Sequence, residues 1–173
     1  LKKNIKKREK IITSHSTYIG GTMKGIPHGK GKKTFKNGDI IEGVWKNGRP
    51  TKASKYIFYG TDIKWEYEGE LTARGELLPN GKGVLKIISA KNKLFSIESG
   101  NFKKHFLDGK GSRTYFLSKS LKKPYYIYIG GFKNGKLHGK GYESRYIGSK
   151  EGSIKHEGTF KNDKFVKGKT TKF

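Results

Sequence analysis

The chain has 173 residues and no cysteine, so a disulfide framework and a thiolate metal site are both excluded. Its formal net charge of +25 points to an anionic partner, and no apolar run approaches the roughly 20 residues a membrane-spanning helix needs. Twenty-five glycines with ten tyrosines, ten phenylalanines and four prolines fit closely spaced turns with large rings between them, not a collagen or proline-rich disordered chain.

The first 17 residues form a basic N-terminal arm. Lys2, Lys3, Lys6, Lys7, Arg8 and Lys10 oppose Glu9 alone, and Leu1, Ile5 and Ile12 suit one face of a short helix. Such a segment is the frayed end or tail of a helix, or an element resting on an anionic membrane.

From residue 18 to the end the chain is a tandem array. Its units open at Tyr18-Ile-Gly-Gly-Thr22, Ile41-Glu-Gly-Val-Trp45, Tyr67-Glu-Gly-Glu-Leu71, Glu98-Ser-Gly-Asn-Phe102, Tyr128-Ile-Gly-Gly-Phe132 and His156-Glu-Gly-Thr-Phe160. The start-to-start spacings are 23, 26, 31, 30 and 28 residues. The third position is always glycine (Gly20, Gly43, Gly69, Gly100, Gly130, Gly158), and the fifth is large and apolar in every unit but the first. A spacing of two puts these residues on one face of a strand, with bulky side chains covering the bare glycine backbone.

Turn signals follow at Lys46-Asn-Gly48, Pro79-Asn-Gly81, Asp108-Gly109 and Lys133-Asn-Gly135. A Gly-Lys-Gly segment then opens a second strand around Lys30, Lys82, Lys110 and Lys140. An apolar residue stands four places on, at Phe35, Ile87 and Tyr115, whereas Arg145-Tyr146 suggests a one-residue slip in the fifth unit. The last unit reads as incomplete beyond Asp163. The expected fold is all-β: a single elongated, twisted antiparallel sheet of tandem hairpins, about twelve strands and roughly 55 Å across at ~4.8 Å per strand.

These units resemble MORN repeats, which read roughly Tyr-x-Gly-x-Trp, then Gly, His-Gly-x-Gly and Tyr. The likeness runs from about 18 to 168 and is strongest where His28 and His138 precede Gly-Lys-Gly; Thr51-Lys-Ala-Ser54 departs from it. The resemblance implies a non-catalytic scaffold or tether in cytoskeletal, ciliary or membrane-associated assemblies of the cytoplasm. It also implies that such an array can be the accessory part of a larger enzyme, such as a lipid kinase or methyltransferase.

A single-layer sheet leaves its aromatic face uncovered, so Tyr18, Trp45, Tyr67, Phe102, Tyr128, Phe132 and Phe160 are the expected groove for a helix or extended peptide of a protein partner. Lys30, Lys82, Lys110 and Lys140 are the expected anion-binding column, for phosphoinositide or other anionic lipid. RNA is a further anionic candidate, although no nucleic-acid motif is present. His15, His28, His105, His138 and His156 are scattered, and no nucleophile and base converge. The sequence therefore points to no catalytic residue, metal, cofactor or small-molecule substrate.

Overall fold

The computed structural model describes residues 5–72, 76–89, 94–117, 120–148 and 151–173. It is one antiparallel sheet of thirteen strands in which every strand pairs with its neighbours in chain order. The strands are β1 (Ile5–Ile12), β2 (Ser16–Met23), β3 (Ile26–Phe35), β4 (Ile40–Lys46), β5 (Arg49–Tyr59), β6 (Ile63–Leu71), β7 (Pro79–Ser89), β8 (Leu94–Lys103), β9 (Phe106–Leu117), β10 (Ser120–Lys133), β11 (Lys136–Gly148), β12 (Gly152–Lys161) and β13 (Lys164–Lys172). The tandem-hairpin sheet expected from the repeat is the fold, with one strand more at its start.

That strand is β1. From Ile5 onward the basic arm is not helical: it lies against β2, with Glu9 opposite Gly20, while Leu1, Lys2 and Lys3 lie outside the described residues. Glu9 accepts a hydrogen bond from the Thr22 hydroxyl, which explains why the first unit carries threonine where the others carry a large apolar residue. The last unit is complete, because β13 pairs with β12 and sets Gly168 opposite Gly158.

Glycines organise the whole sheet. Gly20, Gly31, Gly43, Ala53, Gly69, Gly83, Gly100, Gly111, Gly130, Gly141, Gly158 and Gly168 pair each with the next, forming one column across twelve strands. Ala53 takes the column place in the unit that lacks Gly-x-Gly. The reason for glycine is close approach. A Cβ on Gly130 would stand 2.5 Å from the Cα of Gly141 and 2.6 Å from both the Lys140 carbonyl oxygen and the Tyr128 hydroxyl.

The two glycines of each Gly-Lys-Gly segment do different work. Gly139 has φ of 81° and sits where the β10–β11 register shifts between Gly130 and Phe132, so it forms a bulge. Gly141 is the column residue. Gly81 and Gly109 hold the same bulge place in β7 and β9, so Asn80-Gly81 and Asp108-Gly109 are bulges inside strands, not hairpin turns. Five of the hairpins turn through pairs of positive-φ residues, among them Asn47-Gly48 and Asn134-Gly135, whose twist suits the strands they join.

Hydrogen bonds tie four of the turns to the preceding unit. The amides of Gly48, His105, Gly135 and Asp163 donate to the carbonyls of Pro27, Pro79, Leu107 and Leu137. The Asp108 and Asp163 carboxylates accept from the amides of Asn134 and Leu137. Several of the few acidic side chains thus serve the fold, and the many lysines stay available to solvent.

The core is the row of rings on one face. Tyr18 packs edge-on against Trp45 at 5.1 Å, Tyr67 against Phe102 at 5.6 Å, and Tyr128 against both Phe132 and Phe160 at 5.1 and 5.0 Å. Tyrosine occupies the first position of units one, three and five, and its ring reaches into the next unit; the buried residues from Ala53 to Phe160 form one continuous cluster. Each of these tyrosines lies over two column glycines and donates its hydroxyl to the carbonyl three residues on: Gly21, Glu70 and Gly131, at 2.8, 2.8 and 3.0 Å.

Burial is the main cause that pushes the Tyr67 phenol up to about 12. An acid whose pKa rises on folding stabilises the fold below its unfolded value near 10, and that stability is lost as pH climbs through the folded value. Thermal unfolding followed from pH 9 to 12 should therefore show a stability loss that is less steep in Tyr67→Phe. At neutral pH the same substitution should cost about 1 kcal/mol for the lost hydrogen bond.

Candidate functional site: a cation-walled trough

Two faces follow from the column. Its missing side chains point toward the rings, so the residues on either side of each column position point the opposite way. On that opposite face the column is bare backbone between two rows of side chains. The result is a trough that crosses the strands and runs the length of the sheet.

Three adjoining stretches of it open to volumes of about 690, 580 and 390 Å³. The first is lined by Arg8, Lys30, Val44 and Lys52 on one side, Gly20, Gly31 and Gly43 at the floor, and Ile19, Lys32 and Glu42 on the other. The second repeats this plan with Lys52, Lys82, Asn101 and Lys110, then Gly69, Gly83 and Gly100, then Glu68, Val84 and Ser99. The third has Lys140 and Thr159, then Gly130, Gly141 and Gly158, then Ile129, Tyr142 and Glu157.

One wall carries a cation on every odd-numbered strand, with Val44, Glu70, Asn101 and Thr159 on strands between them. Arg8, Lys30, Lys52, Lys82, Lys110, Lys140 and Lys167 each stand immediately before the column residue of an odd-numbered strand, and all seven are exposed. The four lysines expected from Gly-Lys-Gly belong to this row. Arg8, Lys52 and Lys167 were hidden, because in each case another residue replaces one or both glycines: Arg-Glu in β1, Lys-Ala in β5 and Lys167-Gly168 without a preceding glycine in β13. Successive members are two strands apart, about 9.6 Å, which is near the Debye length in physiological salt, so their mutual repulsion is small. The ion pairs found among the described residues are Lys64–Glu66, Arg113–Glu98, Arg145–Glu143 and, with a protonated ring, His156–Glu143; none draws on this row.

The aromatic groove is corrected. Tyr18, Trp45, Tyr67, Phe102, Tyr128, Phe132 and Phe160 are each at most 4% exposed. Neighbouring rings pack edge to face over the glycines, so no row of rings stands open to a partner. The ring face instead holds a polar cluster. Arg113 pairs with Glu98 at 2.7 Å, donates to the Gly135 carbonyl and lies over the Phe132 ring. The fifth unit does not slip: β11 and β12 stay in register through Arg145, and Glu143 is opposite His156. Arg145 occupies the ring's place and pairs with the buried Glu143. Burial, followed by the charge of Glu143, pushes the Tyr126 phenol well above its ordinary range.

This arrangement defines a tandem β-hairpin repeat protein with one face spent on packing and the other on presenting charge. The MORN repeat family model matches three segments of the chain, residues 18–40, 99–116 and 128–150, which are units one, four and five. The unmatched units keep the same column register. MORN repeats in general are non-catalytic motifs of protein and membrane interaction. No curated protein matches the sequence. Among the described residues no three potential metal ligands cluster, and no helix is long and apolar enough to cross a membrane.

Proposed function

We propose that this protein is a non-catalytic interaction scaffold that binds a negatively charged protein partner in the trough opposite its rings. The observation that carries the reading is the row of seven exposed cations, one on every odd-numbered strand, along a floor of bare backbone. The packed rings lie on the other face, and the glycine column contributes backbone alone to the trough, so the row of cations is not part of the core.

The test compares charge reversals of equal size. Lys30→Glu, Lys110→Glu and Lys140→Glu together should reduce binding of a fluorescent glutamate-rich peptide by at least about 100-fold, at about 1 kcal/mol per lost charge contact. Reversal of Lys46, Lys133 and Lys161, which flank hairpin turns, should change it by less than about threefold if screening confines the effect to local charges. Equal losses from the two sets would show that net charge, not the trough, binds the peptide.

A second reading rests on the turn edge. Lys46 is opposite Arg49, Lys133 opposite Lys136, and Lys161 opposite Lys164. Like charges directly opposed weaken a hairpin. Ile26 and Phe106 are about half exposed beside turns on the same edge. Such an edge suits an anionic membrane, with lysines at the headgroups and the apolar side chains at the acyl boundary. Lys133→Glu should then have opposite effects on two measurements. Stability should rise by about 0.2–1 kcal/mol, and sedimentation with phosphatidylserine vesicles should fall. Unchanged sedimentation would leave the edge without a membrane role.

A further inference from the structure

We infer that the trough takes an extended acidic polypeptide segment carrying a carboxylate at every third residue, with the segment running across the strands. The inference rests on the reading of the trough as an anionic-partner site, and it specifies that partner's conformation and charge spacing.

Width sets the conformation. The two walls are residues i and i+2 of the same strand, as with Lys30 and Lys32 or Lys82 and Val84. Such residues are about 6.6 Å apart along a strand. An α-helix with its side chains measures about 10–12 Å across and cannot sit on the glycine floor between them. A lipid bilayer is flat on this scale and would touch only the tips of the walls. A single extended chain fits between the rows and can reach the floor.

Pitch sets the charge spacing. Cations recur every second strand, about 9.6 Å. Polyproline II rises about 3.1 Å per residue with three residues per turn, so residues i and i+3 lie on the same side about 9.3 Å apart. A β-strand returns to the same side every two residues, about 6.7 Å, and falls out of step with the row after one interval. The opposite wall is mixed, with Lys10, Lys32 and Lys169 as well as Glu42, Glu68 and Glu157 among Ile19, Val84 and Ile129, so it offers no matching row of cations and favours a segment with its acids on a single side. The row spans twelve strand intervals, about 58 Å, so about 19 extended residues would fill it.

Two peptides of about 21 residues, each with seven glutamates among proline and serine, test this. One has a glutamate at every third residue, and the other has all seven in one block. The full-length chain should bind the spaced peptide at least about 10-fold more tightly, because a block lies within reach of only two or three row cations at the screening length of physiological salt. Single Lys→Ala changes at Lys30, Lys82, Lys110 and Lys140 should each weaken the spaced peptide by a similar factor. For the block peptide, losses should concentrate at neighbouring lysines. Equal affinity for the two peptides, with both lost on reversal of Lys30, Lys110 and Lys140, would overturn the spacing while leaving the trough as an anion site. Failure of both peptides to bind would overturn the anionic-partner reading itself, and phosphatidylserine vesicles that bind through the row instead would replace the peptide with a membrane.

Discussion

Gly130→Val is expected to destabilise the array by about 3 kcal/mol or more, beyond most overpacking changes. Even the Cβ would meet the Gly141 Cα and the Lys140 carbonyl, which are backbone atoms of the neighbouring strand. The third obstacle, the Tyr128 hydroxyl, is held by its bond to the Gly131 carbonyl and by burial under Phe132 and Phe160. Relief requires β10 and β11 to separate, which also breaks the Phe132–Leu137 pairing beside the turn. A repeat array unfolds by units and interfaces, so the damage should be local first. Amide exchange should accelerate most in β9 through β12 and least in β2 through β5. Gly139→Ala is the control. No atom lies within 4 Å of the added Cβ, so its cost should be the ~1 kcal/mol of a left-handed backbone alone. Similar losses for the two variants would remove the close-packing role assigned to the column.

Phe132→Ala should cost about 3–5 kcal/mol, the range for deleting a buried ring. Phe132 is buried, packs edge-on against Tyr128 and supports the Arg113 guanidinium. Trp45→Ala should cost a similar amount, since Trp45 covers Tyr18 and donates its indole N–H to the Gly31 carbonyl at 3.0 Å. If these rings formed an open docking groove, both variants would keep wild-type thermal stability and lose only binding. The expected outcome is the reverse in order: lower melting temperature first, with any binding loss following the fraction unfolded. A melting temperature within a degree of wild type for both variants would return the rings to the surface.

The hairpin repeat was legible because its cause is local. Glycine third and a ring fifth in Tyr128-Ile-Gly-Gly-Phe132 identify one face of one strand, and six such segments identify an array. The partner of each glycine was not legible. Gly130 meets Gly141 only because Gly139 bulges, and this bulge moves the register by two residues without altering the composition. The same effect made Asn80-Gly81 and Asp108-Gly109 look like hairpin turns.

Which face is covered was the larger gap. Alternation separates two faces but does not show how far the rings of neighbouring units overlap. The contact of Tyr128 with Phe160 joins residues 32 apart in different units, and local periodicity does not contain it. Four members of the cation row were visible through Gly-Lys-Gly. Lys52, Lys167 and Arg8 share their position but not both flanking glycines, so pairing alone reveals them. The strand character of the first basic segment was equally hidden, because Glu9 stands where the other strands carry glycine or alanine.

The most direct measurement of an open ribbon with its cations in one line is the distance between spin labels on row positions. The chain has no cysteine, so Lys30→Cys can be paired in turn with Lys82→Cys, Lys110→Cys and Lys140→Cys for labelling at chosen sites. Four, six and eight strand intervals predict separations that grow steadily, about 19, 29 and 38 Å before label length and sheet curvature are added. A separation that stops growing, or is shorter for Lys140 than for Lys110, would mean that the sheet closes on itself and that no continuous cationic wall exists.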